Sequence, residues 1–224
     1  MVRFKDRTHA GEALARRLVE VMAGPCVVGA IPRGGVVVGL PVATALGAPL
    51  VVVNAHKLTA SISPEFAFGA IDEDGESLLD EVSVRDLGLE PAEIERARAR
   101  AWDLMRARID RRPTPSLASW LPRRVVLVDD GLATGLTMRA AVRHARRHGA
   151  TVITVAVPCA SAEAAAAMRL EAEHFVCPVV DPAFMAVGCY YDDFSQVSDS
   201  MMAALLEGAG GQAGATGRGT EAGP

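Results

Sequence analysis

The run Val125-Val126-Leu127-Val128, followed directly by Asp129-Asp130, constrains this chain more than any other stretch. Four consecutive aliphatic residues leave a strand no polar face. Such a strand is covered on both sides, as in a parallel sheet whose crossover helices lie on both faces. A loop of mostly small residues follows, Gly131-Leu132-Ala133-Thr134-Gly135-Leu136-Thr137, and runs into a helix with Met138, Ala141, Val142 and Ala145 on one side. In open α/β sheets ligands bind outside the carboxyl ends of the strands. A Gly/Thr turn entering a helix N-terminus offers amide hydrogens and hydroxyls to a phosphate. Two carboxylates beside that cradle would repel a phosphate alone. The pairing makes sense for a ligand that also carries sugar hydroxyls or a divalent cation.

The rest of the chain fits the same architecture. Residues 8–23 have a helical stripe of Leu14, Leu18, Val21 and Met22, with Thr8 as a candidate N-cap and Gly24-Pro25 as the stop. Cys26 to Ile31 predicts a buried strand, Pro32-Arg33-Gly34-Gly35 a turn, and Val36 to Leu46 a helix. The two glycines allow close backbone approach to a ligand. Arg33 could fork onto phosphate oxygens or be a solvated arginine in an ordinary turn. Leu50 to Asn54 predicts the next strand, and it delivers His56-Lys57 to the same sheet edge. Thr59 to Glu65 reads as a loop. Phe66 to Ile71 and Glu76 to Leu79 read as short strands joined by a solvated acidic hairpin tip at Asp72-Glu73-Asp74-Gly75.

Pro91 opens a long helix with an apolar stripe (Ile94, Ala97, Ala101, Leu104 or Met105, Ile109) and a solvated arginine-rich face, ended by Pro113 and Pro115. After the central helix, Thr151 to Val157 predicts a strand, Ser161 to Glu173 a helix, and His174 to Val180 a last strand. Residues 181–199 are irregular and hold Phe184, Tyr190, Tyr191 and Phe194, which could wall a flat-ligand pocket or pin the segment to the core. A short helix follows from Ser200 to Glu207. The expected fold is α/β: a doubly wound, mostly parallel sheet with helices on both faces.

Composition bounds the function. The 224 residues are 50% hydrophobic, enough for one domain with a large core, and the net charge of −4 argues against a nucleic-acid footprint. No apolar run reaches the roughly 18 residues of a membrane helix, and the N-terminus lacks a signal-peptide stretch, so a cytoplasmic protein with no membrane partner is expected. Cys26, Cys159, Cys177 and Cys189 are scattered and read as reduced thiols.

Val125 to Thr137 resembles the binding motif of type I phosphoribosyltransferases for PRPP (5-phosphoribosyl 1-pyrophosphate). Phe4-Lys5-Asp6-Arg7, Ile31 to Gly35, the segment from Lys57 to Glu65, Gly69-Ala70-Ile71 and Gly188 to Asp199 resemble a subgroup of small bacterial phosphoribosyltransferase-like proteins, most of them uncharacterised. The resemblance spans roughly residues 3–207. It implies one domain over 1–207, with a small hood from about 1–24 and 181–207, and a disordered Gly/Ala-rich tail over 208–224.

It also implies roles. Asp129, Asp130 and Arg33 would be catalytic. The two acids would hold the ribose hydroxyls and help place Mg²⁺ on PRPP, partly through water. Gly131, Leu132, Ala133, Thr134, Gly135, Leu136 and Thr137 would wrap the 5′-phosphate. Pro32, Arg33, Gly34, Gly35, His56 and Lys57 would bind pyrophosphate, and residues 58–65 would form a mobile loop over the site. Tyr190, Tyr191, Asp193 and Phe194 would form the hood that selects the acceptor. The implied activity is Mg²⁺-dependent transfer of the 5-phosphoribosyl group to a nitrogenous acceptor, with purine-like bases among the candidates and pyrophosphate leaving. Ala133 stands where hypoxanthine–guanine enzymes carry an acid, so the loop reads as adenine-type. His56 stands where relatives carry arginine, and the loop after it lacks the usual glycines. Both motivate the alternative of a PRPP- or nucleotide-binding regulator without turnover. A dinucleotide enzyme is disfavoured, because Pro-Arg-Gly-Gly replaces Gly-x-Gly-x-x-Gly after the first strand. A homodimer is compatible with the sequence, and the acceptor is open.

Overall fold

The computed structural model describes residues 3–60, 63–111, 117, 120 and 123–213. Its centre is a five-stranded sheet of β1 (Val27–Ala30), β2 (Leu50–Val52), β6 (Arg124–Val128), β7 (Val152–Ala156) and β9 (His174–Val176), in the order β2-β1-β6-β7-β9. Every pairing in it is parallel. The aliphatic runs explain this arrangement, since Val125 to Val128 all have 0% exposure and need apolar cover above and below.

That cover comes from two helical layers. On one face α1 (Arg7–Val21) and α2 (Gly34–Leu46) pack Leu14, Leu18, Val38 and Val42 against Val28, Val126 and Val128. On the other, α5 (Leu136–Arg147) and α6 (Ala162–Glu171) pack Met138, Ala141, Ala165 and Met168 against Val125, Leu127, Ile153 and Val155. The sheet is doubly wound, as expected.

Several expectations need correction. The N-cap of α1 is Asp6, whose carboxylate accepts from the His9 amide at 2.8 Å, rather than Thr8. Thr59 to Glu65 is not a loop: β3 (Ala55–Ala60) and β4 (Ser63–Asp72) form an antiparallel hairpin that carries His56 and Lys57. Its inward residues Leu58, Phe68 and Ile71 pack on Ala97, Ala101 and Met105 of α4 (Pro91–Arg111), which gives this small-residue segment a core of its own. Of the expected mobile loop, Ser61 and Ile62 lie outside the described residues. The next turn does join β4 to β5 (Ser77–Leu79), with Gly75 at φ +85°. Its acids are only partly solvated, however; Asp72 is 1% exposed and pairs with Arg147 of α5, while Asp74 stays exposed.

A short helix α3 (Glu81–Asp86) follows, capped by Asp80. The last expected strand, to Val180, is split. β10 (Val179–Asp181) leaves the main sheet and pairs in parallel with β8 (Cys159–Ser161). The final helix, α7 (Asp199–Ala213), runs six residues past Glu207; residues 214–224 and the stops at Pro113 and Pro115 lie outside the described residues. All four cysteines are free thiols. Among the described residues, no helix is long and apolar enough to cross a membrane.

Candidate functional site

The chain leaves β1 for β2 on one side and reaches β6, β7 and β9 on the other, so the adjacent carboxyl ends of β1 and β6 form a topological switch point. Two strand-to-helix turns meet there: Ile31 to Gly34 leading into α2, and Asp129 to Gly135 leading into α5. The Ile31 amide donates to the Val128 carbonyl at 2.9 Å, which locks the first turn to the end of β6. The Pro32–Arg33 peptide is cis. The glycines of the first turn are required by contact. A Cβ on Gly34 would lie 1.9 Å from Asp130 Oδ2, and one on Gly35 would lie 2.7 Å from the Val128 carbonyl oxygen. Backbone therefore touches the acid pair where any side chain would displace it.

The acid pair is recessed and strained electrostatically. The Asp130 amide donates to Asp129 Oδ1 at 2.8 Å. Asp130 Oδ2 accepts from Arg7 Nε at 2.8 Å, and its backbone carbonyl accepts from the Tyr191 hydroxyl at 2.6 Å. Burial, and then the neighbouring Asp130 charge, push the Asp129 carboxyl well above the ordinary carboxylate range. Burial also raises Asp130, against the pull of Arg7 and Lys57. Two adjacent carboxylates offer the hard oxygen donors that Mg²⁺ takes, so the residues present fit the metal that the sequence implies.

A cleft of about 320 Å³ opens beside the pair, lined by residues 31–34, residues 55–57, Asp129, Asp130 and Thr137. It unites three groups separated in sequence: the Pro32-Arg33-Gly34 turn, His56-Lys57 from β3, and the acids with the first turn of α5. Lys57 is exposed. Arg33 is 3.8 Å from Asp199 at the start of α7, a contact that holds it at the rim.

The loop over 131–137 divides into anchors and free groups. The Leu132 amide donates to the Cys159 carbonyl at 2.9 Å, so this amide is committed to the β8 edge. The side chains of Leu132 and Leu136 are buried at 2% and 5%. Both leucines shape the loop and do not point into the cleft. Gly135 caps α5 in the left-handed region, φ +74°, and its turn leaves Ala133 and Thr134 exposed ahead of the helix amides.

The aromatic segment reaches the acid pair from behind, through the Tyr191 hydroxyl on the Asp130 carbonyl. Tyr190 and Tyr191 are each 1% exposed. The Tyr190 hydroxyl donates to Asp181 at 2.6 Å. Both rings pack in a cluster with Phe4, Ala10 and Cys159, so these tyrosines pin the segment to the core. Their segment pairs with the N-terminus, Phe4 N donating to Tyr190 O and Asp193 N to Lys5 O, each at 2.8 Å. Phe194 and Asp193 are exposed, and Phe194 lies under the Arg7 guanidinium at 3.8 Å from its ring centre. Arg7 is the residue that sequence reasoning missed. Phe4-Lys5-Asp6-Arg7 was visible as a motif, but nothing in its spacing to residue 130 announces the ion pair.

A doubly wound sheet with an acid pair and a phosphate-type helix entry at its switch point defines a phosphoribosyl-transferase architecture, and the comparisons with known proteins agree. The phosphoribosyl transferase domain family matches residues 6–192, and the chain belongs to that family. It is 39% identical over 205 residues to proteins provisionally named phosphoribosyl transferases from two Mycobacterium tuberculosis strains, a match covering 91% of this chain and 46% of each relative. The chain thus spans about half the length of these curated relatives. The crystal structure of TT1426 from Thermus thermophilus is 40% identical, with a TM-score of 0.73, over 92% of this chain and 98% of that one.

Proposed function

We propose that this chain binds PRPP with Mg²⁺ in the switch-point cleft and transfers its 5-phosphoribosyl group to a nitrogenous acceptor, releasing pyrophosphate. One observation carries the reading: the acid pair, the α5 entry and the basic groups Arg33 and Lys57 border a single cleft. Each part of PRPP has a counterpart there. Asp129 and Asp130 accept hydrogen bonds from the ribose 2′- and 3′-hydroxyls. The exposed 133–134 turn, the α5 amides and the Thr134 and Thr137 hydroxyls receive the 5′-phosphate. Arg33 and Lys57, with His56 beside them, face the pyrophosphate. Mg²⁺, when bound, supplies charge neutralisation for the leaving pyrophosphate. The transition state at ribose C1 resembles an oxocarbenium ion, and the chain's contribution is to position both reactants and to disperse negative charge onto Arg33 and Lys57. Ala133 offers no carboxylate to the base, which favours an adenine-like over a hypoxanthine-like acceptor.

The test is pyrophosphate release from PRPP with Mg²⁺ and a panel of purine, pyrimidine and small amine acceptors. Release with at least one acceptor is expected, and loss of PRPP binding in the Asp129→Asn, Asp130→Asn double variant. Arg33→Ala should lower kcat/KM about 10- to 100-fold, the worth of one charge-assisted contact. The ion pair that Arg7 already makes with Asp130 favours one second reading, a PRPP-binding regulator. PRPP binding with no release for any acceptor would select it, and failure to bind PRPP would remove both.

A further inference from the structure

The acidic turn between β4 and β5 meets the C-terminal end of α5 at residues that do not line the PRPP cleft, and the meeting has the make-up of a metal centre. His144 lies in the last turn of α5 and His148 is its C-cap four residues on, and their ring centres are 4.5 Å apart. Asp74, on the turn, projects a carboxylate between them. Its Oδ2 is 3.0 Å from His144 Nδ1 and 3.0 Å from His148 Nε2. The three donor atoms lie within 4.8 Å of one another. Metal–ligand bonds of about 2.0–2.1 Å arranged tetrahedrally put neighbouring donors roughly 3.3 Å apart, so this spacing leaves room for one ion with little rearrangement.

We propose that Asp74, His144 and His148 form a binding site for one divalent transition-metal ion of the Zn²⁺ class, distinct from the Mg²⁺-type site at Asp129 and Asp130. The ligand set decides the class. Two imidazoles with one carboxylate suit Zn²⁺, Co²⁺ or Ni²⁺, whereas Mg²⁺ prefers oxygen and water.

Two observations around the three ligands carry the argument further. The first is an outer carboxylate on the buried histidine. His144 is 0% exposed, and its Nε2 lies 3.2 Å from Glu73 Oε1, within ion-pair reach though not aligned as a straight hydrogen bond. Glu73 is itself held by Asn54, whose amide nitrogen Nδ2 donates to Oε2 at 2.9 Å. A carboxylate behind a ligating imidazole fixes its tautomer and raises its basicity. With Nδ1 turned to the metal, Nε2–H faces Glu73. The second is charge. Asp72, Glu73 and Asp74 crowd this corner, and Arg147 pairs with both Asp72 and Asp74. With neutral imidazoles, three carboxylates against one guanidinium leave two negative charges, which a divalent cation cancels. The Asp74 and His148 side chains remain 34% and 27% exposed, so a water can complete the coordination from the solvent side.

The ion has a structural consequence. Asp72 pairs with Ala55 in the β3–β4 ladder, next to His56 and Lys57. A metal joining the turn to α5 fixes the base of the hairpin that brings those two residues to the cleft.

The experiment uses the full chain, stripped with chelator, dialysed against Zn²⁺ and assayed by elemental analysis, with Co²⁺ as a spectroscopic probe. One equivalent of Zn²⁺ should be retained in wild type and in the Asp129→Asn, Asp130→Asn variant alike, and Co²⁺ should show the intense d–d absorption of a tetrahedral centre. His148→Ala, at a partly exposed position that the fold tolerates, should abolish retention, and Glu73→Gln should weaken it about 10-fold. Wild type that retains no Zn²⁺, retention that survives His148→Ala, or retention lost only in the Asp129/Asp130 variant would each overturn the proposal.

Discussion

Arg7 and Lys57 are the cations that bear on the acid pair, and they do so unequally. Arg7 touches Asp130 Oδ2, while Asp129 accepts from the Asp130 amide and feels the longer-range pull of Lys57 and Arg7. Asp129 is thus the carboxylate whose ionisation the fold resists more. A carboxyl raised in the folded state costs stability at pH values above its folded pKa, where it is charged. That cost fades as pH falls through the folded value and the group binds a proton. Asp129→Asn keeps the oxygen that accepts from the Asp130 amide and removes the charge. At neutral pH this variant should melt higher than wild type, by about 2–4 °C for each kcal/mol relieved in a chain of this length. The gap should shrink toward acid as the wild-type pair protonates. Thermal melts across pH check this, and a variant that melts lower at pH 7 would contradict it. The same substitution should weaken PRPP binding, so stability and ligand affinity are expected to move in opposite directions at one residue.

The strand-to-helix turn is the element on which the cleft depends, and its tolerance is set by contact. Gly34 starts α2 while its Cα lies against the Asp130 carboxylate. Gly34→Ala must move that carboxylate or the turn, and a new Cβ also reaches 2.9 Å from Arg7 Nε. A loss of about 1–3 kcal/mol in denaturant stability is expected, as for other overpacked sites, with at least tenfold weaker PRPP binding. Unchanged urea midpoints would show that the turn relaxes freely. The elements legible in the sequence were those with one dominant signal. Val125 to Val128 and the α4 stripe needed no partner to be recognised. The β3–β4 hairpin was less legible, because His56, Lys57, Thr59 and Ser61 carry no alternation that separates a ladder from a loop; α4 supplies the apolar cover that makes it a strand pair. The turn at Asp72 to Asp74 was misread for the same reason. Its acids look solvated until Arg147, His144 and His148 arrive from α5, 70 or more residues later. The acid pair and its loop were legible because their chemistry is local in sequence, whereas the Arg7 contact spans 123 residues.

At the scale of the molecule, residues 3–7 and 190–195 meet beside the acid pair. Phe4 bridges Tyr191 in parallel, Arg3 donates to the Tyr191 carbonyl at 2.6 Å, and Arg7 reaches both Asp130 and the Ser195 carbonyl. Tyr191 is the point where these links converge. Its ring lies in the cluster of Phe4, Ala10, Cys159 and Tyr190, and its hydroxyl closes on the Asp130 carbonyl. Burial and the nearby acid charge raise the phenol far above its ordinary range, so it is a donor at neutral pH. Tyr191→Phe removes that donor and little else. Because the Asp130 carbonyl also has the long Cys159 thiol contact at 3.8 Å, the orphaned acceptor is only partly compensated. The expected cost is about 1–2 kcal/mol in chemical denaturation, the worth of one buried hydrogen bond with an unsatisfied partner left behind. The ring packing survives, so a change in PRPP affinity would then report how far the hood positions Asp130. A Kd weakened several-fold, with the loss of stability, would tie the 3–7 and 190–195 segments to the acid pair. Equal stability and equal Kd would show that the hood merely covers the core beside it.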